Sequence, residues 1–194
     1  MGKGRLEAFS DGVIAVIITI MVLELKAPHE ATLGSLIGNW PTLLSYVLSF
    51  VFVGIFWVNH HHMLHAVARV DGRCLWANLH LLFWLSLFPF VTSWISETEP
   101  LPSAIPVACY GIVLLMAGIS WIPLQRALIA ANGGAGGELA QAVSSGAKEY
   151  LTLALDVAAI VLAFFAPVVS CVVYVAVAAI WFIPDRRIEG RLLH

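Results

Sequence analysis

The sequence predicts an all-α membrane protein of six transmembrane helices with both termini in the cytoplasm. Three observations carry that prediction. The 194 residues are 60% apolar and only 11% charged, with a mean hydropathy of +0.91, whereas a soluble domain has about a quarter of its residues charged. Apolar runs long enough to cross a bilayer core of about 30 Å recur along the whole chain. With six crossings, the N-terminus, the 67–74 and 126–148 connections and the C-terminus share one side, which holds Lys3, Arg5, Arg69, Arg73, Arg126, Lys148, Arg186, Arg187 and Arg191, and the other side holds only Lys26. That split is what the positive-inside rule expects of cytoplasmic termini, and a seventh or missing span would spoil it.

The spans fall near residues 6–25, 40–66, 75–96, 104–125, 149–166 and 167–183, and residues 1–194 form one membrane domain. The first begins beyond Lys3 and Arg5, but Glu7 and Asp11 interrupt it and no small-residue cleavage site follows, so it is not a removed secretory signal. Its start cannot move to residue 12 with Ser10-Asp11 as a cap, because about 14 residues would then remain before Lys26, too few to cross. The last two spans are separated only by Ala166-Pro167, which predicts a tight hairpin. The run Asn132 to Gly137 is Gly-rich and follows no strand, so it predicts a flexible cytoplasmic linker and not a phosphate-binding loop. A net charge of −2 without a basic face excludes nucleic acid as a partner. Cys74, Cys109 and Cys171 are scattered along the apolar runs without disulfide or metal spacing and read as reduced packing residues.

Ionisable residues inside apolar spans cost a few kcal/mol each, by insertion scales of roughly 3 kcal/mol, and mark functional or structural networks. They are Arg5, Glu7 and Asp11 in the first span, His60, His61, His62 and His65 in the second, His80 in the third and Asp156 in the fifth. Arg5, Glu7 and His194 can reach the interface by snorkelling. At about 100° per residue, Gly12, Val16, Thr19 and Leu23 form one uncharged stripe on the first helix, flanked by Ile20, while Asp11 lies off it and needs a donor from a neighbouring helix. From pattern alone the stripe reads as ordinary helix packing. Three consecutive histidines point in three directions, and His61 with His65 would need a further ligand such as Glu7 or Asp11 to bind zinc. Helix-to-helix hydrogen bonding, with Asp11 or Asn78 as partners, is the expected role of the histidines.

The run Arg5-Leu6-Glu7-Ala8-Phe9-Ser10-Asp11-Gly12 resembles the R-x-x-x-F-S-D-G motif of the prokaryotic transmembrane protein 175 potassium channels. The resemblance extends to Gly54-Ile55-Phe56-Trp57-Val58-Asn59-His60-His61 in the second span and to Asn78 and Pro89-Phe90 in the third. It implies a homotetramer in the prokaryotic cell membrane, with four first helices around a pore for potassium ions and no cofactor or bound metal. Transferred by position, the family's hydrophobic constriction falls on Val16, its hydroxyl layer on Thr19 and its lower apolar ring on Leu23, with Ile20 beside it. These are the residues of the stripe found by helical phase. Val16 departs from the bulkier Ile or Leu of such channels and would widen the ring. The resemblance also places Arg5, Phe9, Ser10 and Asp11 in a structural network with Trp57, Asn78 and either His60 or His61.

That reading implies a narrow apolar tube that conducts only when wetted and gates by dewetting. The sequence has neither a Thr-Val-Gly-Tyr-Gly filter nor an Arg-repeat helix, so a carbonyl-cage filter and a voltage sensor of the usual design are not expected, and weaker discrimination of potassium from sodium is. Three rival readings remain open from sequence. One is a proton- or metal-coupled secondary transporter using Asp11, Asp156 and the histidines. The others are a membrane enzyme with a histidine-held metal and a helper subunit of a larger complex.

Overall fold

The computed structural model describes residues 2–27, 30–137, 139–140 and 146–182. Every regular element among them is helical: α1 (Lys3–Leu23), α2 (Leu33–Gly38), α3 (Trp40–His65), α4 (Gly72–Leu85), α5 (Phe88–Glu97), α6 (Ala104–Ala131), a 3-10 turn at Gly134–Gly136, α7 (Ala147–Ala163) and α8 (Pro167–Phe182). Four segments are long and apolar enough to cross a membrane: Lys3–Leu23, Trp40–His65, Gly72–Glu97 and Ala104–Ala131. The helices α7 and α8 have 17 and 16 residues, about 25 Å each at a rise of about 1.5 Å per residue. The C-terminal bases Arg186, Arg187 and Arg191, together with His194, lie outside the described residues.

Proline and capping side chains set the boundaries. Pro89, in the first turn of α5, has no N–H for the Leu85 carbonyl and its ring would collide with it. The apolar segment 72–97 is therefore two helices, the first ending at Leu85. Asp71 caps α4 by accepting from the backbone N–H groups of Arg73 at 2.9 Å and Cys74 at 3.0 Å. Pro167 opens α8, where its missing N–H costs nothing, and α8 folds back on α7 with the Ser170 hydroxyl donating to Ala159 O at 2.7 Å.

Helix α6 is the hub, packed against α4, α5 and α7, while α3 packs on α1 and α5. Tyr110 of α6 is fully enclosed, edge-on to Phe88 at 5.9 Å and 5.5 Å from the Tyr174 ring. Its hydroxyl accepts from Ser49 Oγ at 3.2 Å, and Ser49 is bonded to Thr92 Oγ1 at 2.7 Å, so one buried polar knot joins α3, α5 and α6. Tyr174 reaches across α6 to donate to Val107 O at 3.2 Å. This crossing needs Gly111, because a Cβ there would overlap the Tyr174 hydroxyl and lie 2.7 Å from Ile160 Cγ1.

The stretch expected to be a flexible linker begins with an anchored residue. Asn132 Oδ1 accepts from the backbone N–H groups of Ala68 and Arg69, both at 2.9 Å, and its amide donates to Arg69 O and Leu128 O. The end of α6 is thereby stapled to the connection between α3 and α4.

Candidate functional site on the first helix

Helix α1 has two unlike faces. Leu6, Ser10, Ile14, Ile17 and Met21 are buried against the rest of the subunit. Val16, Ile20 and Leu23 are 56%, 42% and 74% exposed, and Thr19 and Gly12 lie open beside them. The stripe grouped by helical phase thus lies within the exposed part of α1, which also includes Phe9 and Val22. Thr19 donates to Ala15 O at 2.8 Å, one turn back. This bond satisfies the hydroxyl proton and leaves the oxygen's lone pairs toward the open side.

The inward face is fixed by polar contacts in its N-terminal half. Ser10 Oγ donates to Leu6 O and accepts from Asn78 Nδ2, both at 2.9 Å, and Asn78 Oδ1 lies 2.7 Å from His60 Nε2. With the Asn78 amide nitrogen committed to Ser10, its oxygen is the acceptor, so His60 carries its proton on Nε2. Ser10, Asn78 and His60 are all essentially inaccessible. Their chain of hydrogen bonds ties α1, α4 and α3 together in a medium where unpaired polar groups are costly.

A second set of contacts runs along α3. Lys3 Nζ donates to His65 O at 3.1 Å, Glu7 Oε1 lies 3.6 Å from His61 Nδ1, and Asp11 Oδ1 accepts from Trp57 Nε1 at 2.9 Å. Positions 3, 7 and 11 thus meet positions 65, 61 and 57, two four-residue ladders read in opposite directions, as antiparallel helices require. His61 extends the ladder by stacking between the rings of Trp57 and His65, at 5.9 Å from each. Arg5 and Phe9 sit on the exposed side of α1, apart from these bonds. At the opposite end, Ser93 Oγ donates to Glu24 Oε2 at 3.3 Å and Lys26 Nζ to Glu97 Oε1 at 2.6 Å. Among the described residues, no three His, Cys, Asp or Glu side chains converge to hold a metal.

The structure therefore brings together Ser10, Asn78 and His60, and Asp11 with Trp57, and gives His61 to Glu7. Sequence reasoning left Glu7 to the interface, put Lys3 and Lys26 on opposite sides, and gave neither lysine its partner on α3 or on Glu97. The four-residue spacing of Lys3, Glu7 and Asp11 against Trp57, His61 and His65 was the available signal.

Comparison with known proteins gives a consistent picture. The family model described as endosomal/lysosomal potassium channel TMEM175 matches residues 5–89, which contain both ladders except Lys3. A potassium channel of Chryseobacterium sp. (strain P1-3) is 49% identical over 192 residues, covering 99% of this chain and 98% of the relative. The crystal structure of a lysosomal potassium-selective channel TMEM175 homolog from Chamaesiphon minutus superposes with a TM-score of 0.81 at 28% identity, covering 95% of this chain and 97% of that one. Human endosomal/lysosomal proton channel TMEM175 is 34% identical over 96 residues, which are 43% of this chain and 19% of the human protein.

Proposed function

The chain belongs to the TMEM175 family, and from that membership and the uncovered face of α1 we propose that it is a potassium-permeable cation channel. Four subunits place their α1 helices around a central pore. Val16 forms the upper apolar constriction, Thr19 a hydroxyl layer, and Leu23 with Ile20 the lower ring. The observation that carries this reading is that Val16, Thr19, Ile20 and Leu23 lie open on the subunit. The bonds of Ser10 and Asp11 meanwhile point away from that stripe and orient it. The descriptions of the Chryseobacterium and Chamaesiphon relatives support potassium as the permeant ion.

The subunit crosses the membrane six times, with the short helices α7 and α8 as the fifth and sixth spans and both termini cytoplasmic in a prokaryotic cell membrane. Two contacts support that orientation. Lys3 on His65 O and Asn132 on Ala68 and Arg69 gather the start of α1, the α3–α4 connection and the end of α6 at one end of the subunit. Lys3, Arg5, Arg69 and Arg73 belong to that end, while Lys26 sits at the other on Glu97.

Between Val16 and Leu23 the tube is about 10 Å long at a rise of about 1.5 Å per residue, and its side chains offer an ion no charge. Water leaves such a constriction once it narrows, so a small rotation of α1 that changes the radius at Val16 switches conduction. The cost of stripping water from the ion, softened by the Thr19 oxygens, supplies discrimination among cations. Planar-bilayer recording of the purified protein under a potassium/sodium gradient tests the function. Unitary currents reversing toward the potassium equilibrium potential, with cross-linking that stops at four subunits, are expected. Transport without unitary current would replace the channel by a coupled carrier.

A further inference from the structure

A partly open cavity of about 50 Å³ lies away from α1, bounded by α3, α6, α7 and α8. Its walls are mainly carbon, including Trp121 and Trp181, with Asn59, Thr152, Glu149 and Asp156 as the polar groups; the Lys148 ammonium lies over the Trp181 ring, 4.8 Å from its centroid. Asp156 is only 3% exposed, and its Oδ1 is buried with no hydrogen-bond partner among the described residues. Glu149, two turns nearer the end of α7, also has a buried unpartnered oxygen, Oε2. No Lys, Arg or His of the described residues lines the space. An acid at this depth is expected to face a partner or a cavity, and here Asp156 Oδ1 faces a cavity with no hydrogen bond from any described residue.

Part of the donor capacity of the lining is already committed. The Thr152 hydroxyl donates to backbone oxygens of α7 at 3.0–3.1 Å, the Asn59 amide to Ile55 O at 2.9 Å, and the Trp181 indole to Thr152 Oγ1 at 3.3 Å. Beside these aromatic walls the Asp156 oxygen has no partner among the described residues, which suits a cation that brings its own N–H groups and an apolar body. A bare alkali ion would need a shell of oxygens that carbon walls do not provide. A water-sized group takes about 10–15 Å³ of such a cavity, so the space admits a chain of about four heavy atoms.

We propose that this cavity is a binding site for a short primary ammonium, its N–H groups on Asp156 and its carbons against Trp121 and Trp181. The same group is presented by a free short-chain amine and by the ethanolamine headgroup of a phospholipid. The site is independent of the pore.

The test uses the full-length protein in phosphatidylcholine nanodiscs, titrated with propylammonium chloride while its thermal unfolding is followed, with tetramethylammonium and potassium chloride at equal ionic strength as controls. Propylammonium should raise the Tm saturably, as a ligand of the folded state does. Asp156→Asn, which keeps the side-chain shape, should raise the half-saturating concentration about tenfold or more by removing a charge-assisted bond. Leu114→Phe, which fills the cavity from α6 without touching either acid, should do the same and serves if the first variant fails to fold. Weaker apparent binding of propylammonium in phosphatidylethanolamine nanodiscs would assign the site to the lipid headgroup, and equal binding in both lipids to the free amine. No saturable shift, an equal shift from potassium or tetramethylammonium, or wild-type titration of both variants would overturn the proposal.

Discussion

The Trp57 indole donates to Asp11 Oδ1 at 2.9 Å, so the deepest carboxylate of α1 is turned toward α3 and away from the open stripe. A half-buried acceptor that keeps its donor positions a helix, and one that loses it is left poorly satisfied beside an apolar medium. Asp11→Ala should therefore lower the yield of tetramers on size-exclusion chromatography. Asp11→Asn, which retains an acceptor oxygen, should be much milder. The hydrogen bond itself is worth about 0.6–2 kcal/mol in a membrane protein. Intact Asp11→Ala tetramers with normal current would remove this pair from the account of assembly.

Exposure separates conduction from stability at Val16. Since its side chain meets little of its own subunit, Val16→Phe should leave subunit folding within about 0.5 kcal/mol of the original and yet cut single-channel current by narrowing the constriction. A variant that conducts as before would take Val16 out of the narrowest ring.

Thr19 bonds one turn back to Ala15 O, so its oxygen is held in one direction. Thr19→Ala should lower the potassium-to-sodium permeability ratio more than it lowers conductance, read as a reversal-potential shift under bi-ionic conditions. An unmoved reversal potential would assign selectivity to the apolar rings alone.

In the body of the subunit, the crossing of Tyr174 over α6 rests on the missing side chain of Gly111. Gly111→Ala should destabilise by about 1–3 kcal/mol through overpacking. Tyr174→Phe, which removes the hydroxyl that the new methyl would strike, should recover part of that loss in the double variant. Additive costs in a thermal-unfolding cycle would show that the two positions do not press on each other.

The cap on α4 gives a pH dependence with a definite sign. The Cys74 backbone N–H, followed by that of Arg73, holds the Asp71 carboxyl below its ordinary range. A folded-state pKa below the unfolded value means stabilisation that is complete above about pH 4 and is lost as pH falls through the folded value. Thermal unfolding of the wild type should thus soften below about pH 4 more than that of Asp71→Asn, which caps without titrating. Equal acid sensitivity of the two proteins would place the effect elsewhere.

What could be read in the sequence follows from what the membrane makes expensive. Asp11, His60 and Asn78 stand out because an apolar stretch must justify them, and the structure supplies their partners. Helical phase groups Gly12, Val16, Thr19 and Leu23 on one uncharged face, but from pattern alone that face reads as helix packing, and its exposure is a finding of the structure. Lys3 and Glu7 lie close enough to the end of the span for water to satisfy them, so nothing in their type pointed to α3. The Ser49, Thr92 and Tyr110 knot was silent because hydroxyl groups are common in membrane helices and commonly bond to their own backbone, as Ser49 and Thr92 also do. The anchoring of Asn132 was hidden by the glycines that follow it. Asp156 was conspicuous, but only the surrounding helices reveal that it faces a cavity and has an oxygen unpartnered among the described residues.

The outer end of α1 offers the last prediction. Leu23, assigned above to the proposed lower ring, ends the helix just before Glu24 and Lys26, which are linked to Ser93 and Glu97 of the α5 segment. The hydrogen bond from Lys26 to Glu97 raises the Lys26 pKa above its ordinary value, so the lysine stays cationic throughout the neutral range. Both partners are exposed, so their attraction is screened by salt and adds little to global stability. Its effect is local: it pins the turn closed by Glu24 N–H on Ile20 O and Leu25 N–H on Val22 O. Lys26→Gln should therefore leave the Tm unchanged while hydrogen exchange at Glu24 and Leu25 speeds up a few-fold. Exchange at the buried Ile14 and Ile17 should stay the same. About 1 M salt should move the wild type toward the variant, and the charge swap Lys26→Glu with Glu97→Lys should restore protection. Identical exchange in wild type and Lys26→Gln would mean that the turn beneath Leu23 is held by apolar packing alone.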